Sequence, residues 1–275
     1  MKQTRRAFTL VELLVVIALM TILIAILLPA LLRARMLPLR IQCQANLRSI
    51  GQALTMYTQR YRYYPALWGD VPGGLVNIWP TRLRMFMGGG QAEFYCPAQD
   101  ERCKWPVGDM RPGPRAEARH TPFGYDLGER LLTYDWFSYG YNAAGVCSSG
   151  HHTLTGLGWR AAPYELAGTG LSNTTTELRA NLVRAPSEMI AIGDSTADGR
   201  VDFYIGYNPD GYTQLGQPHE RGANILFCDG HVEWRRTYEM IRHPGPGGVD
   251  SQNSFVRRMW NYDHSSHEHR EGDDP

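Results

Sequence analysis

Histidines, carboxylates and cysteines are the side chains of this 275-residue chain that can do chemistry, and their spacing limits what that chemistry is. His219 is followed by nine residues and then Asp229-Gly230, with His231 next. A histidine with nearby carboxylates is the raw material of a metal or acid–base site, and Asp194 and His231 complete that candidate set. Distance argues against a His219–Asp229 pair. If 223–228 is an extended strand, it spans ~20 Å, which puts His219 near one end of a hairpin and Asp229 at its tip. Asp229 has a sufficient structural role: Asp-Gly between two strand-like runs predicts a two-residue type I′ turn, in which Asp tolerates the positive φ. No serine-nucleophile motif, phosphate loop or HExxH is present, so the chain reads as a non-enzyme.

The other candidates are weaker. Asp194, Asp198 and Asp202 stand at intervals of four with Gly199 among them, and offer the hard oxygen donors that calcium takes. Their spacing is not that of an EF-hand loop, and otherwise the cofactor expectation is none. His151-His152 would point to opposite faces of an extended chain and reads as a surface pair. His264, His267 and His269 lie in the polar, acidic stretch 261–275, whose composition predicts a solvated, disordered tail. Five cysteines stand at 43, 96, 103, 147 and 228. Cys96 and Cys103 are close enough to close a short loop around Pro97, and the odd total leaves at least one thiol unpaired or intermolecular.

The elements that position these residues begin with an apolar run. Leu13 to Leu32 contains no charged side chain and is interrupted only by Thr21 and Pro29. A helix of that length rises ~30 Å, the thickness of a bilayer's hydrocarbon core. Behind it, Leu32, Met36, Leu39, Cys43, Leu47, Ile50, Leu54, Tyr57, Tyr61 and Tyr64 recur at steps of three and four, the stripe of one helix face. One helix from about Thr9 to Tyr63 would be ~80 Å long. Pro29 and Pro38 should kink or bend it, and Tyr64-Pro65 should end it. The remainder reads as β structure with loops at Pro72-Gly73-Gly74, Gly88-Gly89-Gly90 and 111–114. Residues 148–180 read as an exposed loop rich in Gly, Ser and Thr. Strands are expected at the end of Phe94-Tyr95-Cys96-Pro97, at Ser138–Asn142, at Met189–Gly193, and on both sides of Asp229-Gly230.

Ahead of the span lie Lys2, Arg5 and Arg6, then Ala7-Phe8-Thr9-Leu10-Val11-Glu12. This arrangement resembles the class III signal of type IV pilins and type II secretion pseudopilins. The resemblance implies a prepilin peptidase that cuts between Ala7 and Phe8 on the cytoplasmic side and methylates the new amine. It makes Glu12 the family's fifth mature residue and Pro29 its twenty-second. The family usually has Gly where this chain has Ala7. A carboxylate at the edge of a span is costly and calls for a partner; in a fibre of this family that partner is the N-terminal ammonium of the neighbouring subunit. The cations flanking the span (Lys2, Arg5 and Arg6 before it, Arg33, Arg35 and Arg40 after it) nearly balance, so a cytoplasmic N-terminus rests on the signal rather than on charge.

His219, Asn224, Phe227, Asp229-Gly230 and His231-Val232 are similar to a C-terminal domain often found on prepilin-like proteins, named for its His, nine residues, Asp-Gly pattern. Cys43 with Asn46-Leu47 and Ile50-Gly51, Cys96-Pro97, and Pro186-Ser187-Glu188 leading to Asp194 agree with it. The major pseudopilin of type II secretion also resembles this layout and carries a calcium loop near its C-terminus.

These readings converge on an α+β fold: a long N-terminal helix packed on a small antiparallel sheet, pilin-like. The expected organisation is a leader at 1–7, a helix at 8–64 with the span at 13–32, an extracytoplasmic domain at 65–260 and the tail at 261–275. The expected role is a structural subunit of the inner membrane, with its C-terminal domain periplasmic or extracellular. It would assemble with other pilin or pseudopilin subunits, through inner-membrane assembly machinery, into a type II secretion pseudopilus or a type IV pilus-like fibre. The alternative is an uncleaved, membrane-anchored binding or adhesin protein. Net charge is +1, and loss of the leader's three cations leaves −2, so no global basic field invites nucleic acid. The local basic candidates are Arg82 with Arg84, Arg235-Arg236 and Arg257-Arg258.

Overall fold

A computed structural model describes residues 10–71, 75–104, 136–146, 157, 177–198, 202–207, 215–241 and 258–261. The Ala7–Phe8 junction with its basic leader, His151-His152, Cys147, Gly199, Arg257 and residues 262–275 lie outside them, as does most of 148–180.

The first element is one helix, α1 (Leu10–Tyr61), which runs unbroken through Pro29 and Pro38. Its two halves meet different surroundings. From Leu10 to Leu31 the described large apolar side chains are all exposed. From Cys43 onward the stripe is buried: Cys43, Leu47, Ile50, Leu54 and Tyr57, with Ala53 beside them. Between these halves Met36 and Leu39 are half-buried; toward the end of the stripe Tyr61 is 40% exposed, while Tyr64, just past the helix, is buried in the core. Gln42, Arg48, Gln52 and Gln59 occupy the exposed face. The periodicity thus sets the docked face, and the change from lipid-type to amphipathic pattern sets where docking begins.

After α1 comes a two-stranded antiparallel ribbon, β1 (Trp68–Val71) and β2 (Leu75–Ile78), with the Pro72–Gly74 segment between the strands. The short helix α2 (Trp79–Arg84) follows, with Pro80 in its first turn, where a missing N–H costs nothing. Trp79 is fully buried, donates its indole N–H to the Phe203 carbonyl at 2.8 Å and stacks on Tyr141. Residues 92–94 form a 3-10 turn against α1, and Tyr95 N–H closes on the Ala92 carbonyl. The strand end expected at Phe94–Pro97 is therefore a tight turn.

The main sheet contains β3 (Tyr139–Val146), β4 (Ile190–Asp194), β5 (Tyr204–Tyr207), β6 (Gly222–Phe227) and β7 (Val232–Arg236), in the order β5-β3-β4-β6-β7. It is antiparallel except for β3 and β5, which are parallel, so the sheet is mixed. The reason is topological. The chain leaves β4, passes the start of β3 and adds β5 on the far side, so β5 runs opposite to β4 and with β3. Sheet faces follow strand alternation. Ile225 and Phe227 of β6 join one core with Ile190, Met240 and Trp260, near the short helix α3 (Thr237–Met240). Leu226 points the other way, into the core shared with α1. A Cβ on Gly51 of α1 would stand 2.6 Å from Leu226 Cδ1, so the absence of a side chain there lets helix and sheet approach.

The hairpin between β6 and β7 differs from the two-residue turn expected. Gly230 N–H bonds the Phe227 carbonyl at 2.9 Å and Phe227 N–H bonds the His231 carbonyl at 3.0 Å, which encloses Cys228, Asp229 and Gly230. Gly230 has φ +95°, and Asp229 is not among the positive-φ residues. This is a three-residue loop with glycine at the left-handed position. Its backbone is also held from behind: Cys228 N–H bonds Met189 O, and Asp229 N–H bonds Pro186 O.

The two-residue turn lies one connection earlier. His219 and Gly222 exchange both backbone hydrogen bonds, at 3.2 and 3.0 Å, around Glu220 and Arg221 at φ 53° and 64°. Neither residue is a Gly, Asn or Asp, so the sequence carries no turn signal there.

Candidate functional site

Two regions carry the candidate residues. The first is the exposed half of α1. Its apolar surface is covered by none of the described residues, and it is long and apolar enough to cross a membrane. Glu12 lies in its first turn, where a carboxylate interacts favourably with the helix dipole. Pro29 lies within the same stretch and is exposed.

The second is a polar cluster inside the domain. Cys43 projects from the docked face of α1, and Cys96 follows the 92–94 turn that packs against that face. They form a disulfide, with Cα atoms 5.2 Å apart. The Cys96–Cys103 pairing suggested by sequence proximity is thus overturned. The residues of 92–96 are held at the helix, where Asn46 Nδ2 donates to the Tyr95 carbonyl at 2.8 Å. Cys103 is a buried free thiol, and burial pushes it up to about 12. Cys228 is also free, and burial has the same effect on it.

His219 reaches this disulfide. Its Nε2 is 3.4 Å from Cys96 Sγ and 3.5 Å from Asp194 Oδ2. The positive-φ turn at Glu220-Arg221 and the hydrogen bond from Trp234 Nε1 to the His219 carbonyl, 3.0 Å, hold the histidine backbone in place. Asp194 ends β4 and is fully buried; its Oδ2 accepts the Asn224 N–H at 2.6 Å. Burial raises its carboxyl to about 8, opposed by the Asn224 hydrogen bonds. Burial lowers His219 to about 4, and the Arg40 charge acts in the same direction. Both groups are therefore pushed toward their neutral forms at neutral pH. Among the described residues, Asp194 Oδ1 and His219 Nδ1 have no hydrogen-bond partner.

His219 and Asp229, named together in the sequence pattern, do different things. Asp229 Oδ1 accepts the His231 N–H at 3.1 Å and meets His231 Nδ1 at 2.6 Å, both at the exposed tip. His231 also stacks on Phe227, 4.3 Å between ring centroids. The histidine partner sequence reasoning missed is Cys96. Cys43 lay hidden as one more apolar position on the helix stripe, and nothing in the spacing joined it to His219.

The three aspartates considered for calcium do not converge. Among the described residues they form no common group. Asp194 faces the His219 cluster. Asp202 turns back on its own loop and on the start of β3, accepting from Thr196 Oγ1, Asp198 N–H and Trp136 N–H. Of the basic candidates, Arg82 and Arg84 are internal: Arg82 is buried and bonds Glu177 at 3.0 Å, and Arg84 is buried and donates to Gly89 O, whereas Arg236 and Arg258 are exposed and Arg235 is half-buried.

Comparison with known families adds two matches. Residues 2–28 match the prokaryotic N-terminal methylation motif, and residues 39–92 match a protein family of unknown function (DUF1559). The first covers Ala7, Phe8, Glu12 and most of the apolar run. The second covers the docked half of α1 through α2, and neither reaches His219 or Asp229-Gly230. No curated protein and no solved structure matches the chain. The methylation motif, the apolar N-terminal helix and the α+β layout fit a pilin-like protein.

Proposed function

We propose that the chain is the precursor of a pilin or pseudopilin-like subunit. It is cut between Ala7 and Phe8, methylated on the Phe8 amine, and assembled through the exposed half of α1. The observation that carries this reading is the division of one helix into two parts. The docked half is satisfied by its own sheet, whereas Leu10 to Leu31 offers an apolar surface that the described residues leave uncovered. Lipid covers that surface in a membrane, and equivalent helices cover it in a fibre. The match of residues 2–28 to the methylation motif supports the cut. The Cys43–Cys96 disulfide supports a domain on the oxidising side of the membrane. Partners are then a prepilin peptidase, other subunits of the same kind and the inner-membrane machinery that extracts them. The role is structural rather than enzymatic.

The test is mass spectrometry of the mature N-terminus from a peptidase-competent cell. The expected result is N-methylated Phe8. Intact Met1 in membrane-recovered protein would overturn the proposal in favour of an uncleaved anchor.

A further inference from the structure

We propose that the Cys43, Cys96 and His219 cluster, completed by Asp194, is a soft-metal site of the zinc class when its disulfide is reduced. The donor atoms of Cys43, Cys96 and His219 lie within 4.8 Å of one another, and all three residues are buried. His219 Nε2 stands 3.4 Å from Cys96 Sγ and 3.5 Å from Asp194 Oδ2. Ligands of a tetrahedral zinc ion, at bond lengths of ~2.0–2.3 Å, stand ~3.3–3.8 Å from each other. Those two separations already fit; the bonded sulfurs must part, and the Asp194 carboxylate, which lies outside the close group of the other three donors, must shift toward them.

The chemistry of the donors agrees. Two thiolates, one neutral imidazole and one carboxylate form a set that zinc accepts and that calcium or magnesium does not prefer. The donors come from distant parts of the chain: the helix, the segment after the 92–94 turn, the turn before β6, and the end of β4. The turn that follows the histidine is strained, with Glu220 and Arg221 both at positive φ, and fixes the backbone of His219. A nitrogen, a sulfur and a carboxylate oxygen converge there, and one proton on Nε2 cannot serve both acceptors well. A cation would satisfy all of them at once.

Disulfide and metal exclude each other. A dithiol supplies two electrons and two protons, Cys43–Cys96 becomes two thiols, and the dithiol leaves as its cyclic disulfide. The cation then displaces the two thiol protons to solvent. The site lies far from the N-terminal signal, so it stands or falls separately from the proposed processing.

Cobalt(II) is the probe. The full-length chain in detergent is reduced with a phosphine under anaerobic conditions and titrated. We expect one cobalt per chain, visible bands of tetrahedral cobalt and thiolate-to-cobalt charge transfer, all displaced by zinc. The oxidised chain should show none of these. Cys96→Ser should abolish the charge transfer, Asp194→Asn should weaken binding roughly 10–100-fold, and Cys103→Ser and Cys228→Ser should leave it unchanged. Three results overturn the site: no charge-transfer band in a reduced chain that keeps its far-ultraviolet circular dichroism, a reduced chain that loses that signal and does not regain it with metal, and bands that survive both Cys96→Ser and His219→Ala.

Discussion

Asp194 and His219 make stability depend on pH in a direction that can be worked out. The folded chain holds a proton on Asp194 up to about 8, while an unfolded carboxyl loses it near 4. That contribution is full below the unfolded range and is lost as pH rises toward 8. His219 acts oppositely: with a folded value of about 4, it contributes above about 6.5 and its contribution is lost as pH falls toward 4. The two slopes oppose each other between about 4 and 6.5. Above that range Asp194 acts alone, with a slope on the order of 1.4 kcal/mol per pH unit. We expect the melting temperature to fall between pH 6.5 and 8, and Asp194→Asn to flatten that fall. A wild-type melt that is level over this window rejects the assignment. The two turns give a second residue-scale expectation. Gly230→Val places a β-branched residue at φ +95° and should cost about 1–3 kcal/mol. Asp229→Asn keeps an oxygen for the His231 N–H and should leave the fold intact. Melts with calcium and with chelator test both variants. A wild-type melt that calcium raises, together with an Asn variant that does not respond, would show the carboxylate acting as a ligand.

At the scale of elements, the disulfide is the tie between α1 and the irregular segment after α2. It joins residues separated by 53 positions. In the chain-entropy account a loop of that size is worth about 4 kcal/mol. Cys43→Ser and Cys96→Ser should each lower stability by roughly that amount in denaturant titrations under oxidising conditions, and the double variant should cost little more than either single one. Additive losses would mean that the two cysteines act separately. How legible each element was depended on how local its cause is. α1 was readable because its stripe repeats over many turns, β4 because it is a short apolar run bounded by Pro186 and Asp194, and β6 because its apolar run leads into Asp229-Gly230. The parallel pairing of β5 was not readable, because it depends on where the chain crosses β3. The Glu220-Arg221 turn was hidden because tertiary contacts on both sides impose positive φ on residues that do not favour it. The His219–Cys96–Asp194 cluster failed to show for a related reason: its members lie on separate elements, and Cys43 reads as an apolar residue of the stripe. Asp229-Gly230 did mark a hairpin, but hydrogen bonds from Cys228 and Asp229 to residues 186–189 draw in a third loop residue.

For the whole molecule, the proposed assembly turns on what the exposed half of α1 meets once it leaves lipid. A helix with apolar residues on all sides is stable in a bilayer or at the centre of a bundle, and unstable in water. In the proposed assembly, extraction therefore succeeds only if neighbouring helices replace lipid as the subunit moves. Apolar packing gives little register, because one Leu or Ile row resembles the next. A charge gives register, because a carboxylate among apolar helices is costly wherever it lacks a cation. In the proposed fibre that cation is the Phe8 ammonium of the adjacent subunit, created only by the cut. Processing and register are then linked, since an uncut chain supplies no ammonium at that place. Glu12→Ala separates insertion from assembly. The substitution removes a charged group from the edge of the span, so membrane insertion should be unchanged or improved. The pairing is lost, so fibres should be scarce. The assay is the yield of sheared fibres, normalised to total membrane protein and to the fraction cut at Ala7–Phe8. We expect a fall of at least tenfold in fibre yield with normal membrane levels, equivalent to roughly 1.4 kcal/mol or more per subunit contact. Glu12→Asp should retain part of the yield, because it keeps the charge on a shorter side chain. Normal fibre yield from Glu12→Ala would show that apolar packing sets the register unaided, and the charge pairing would have to be abandoned.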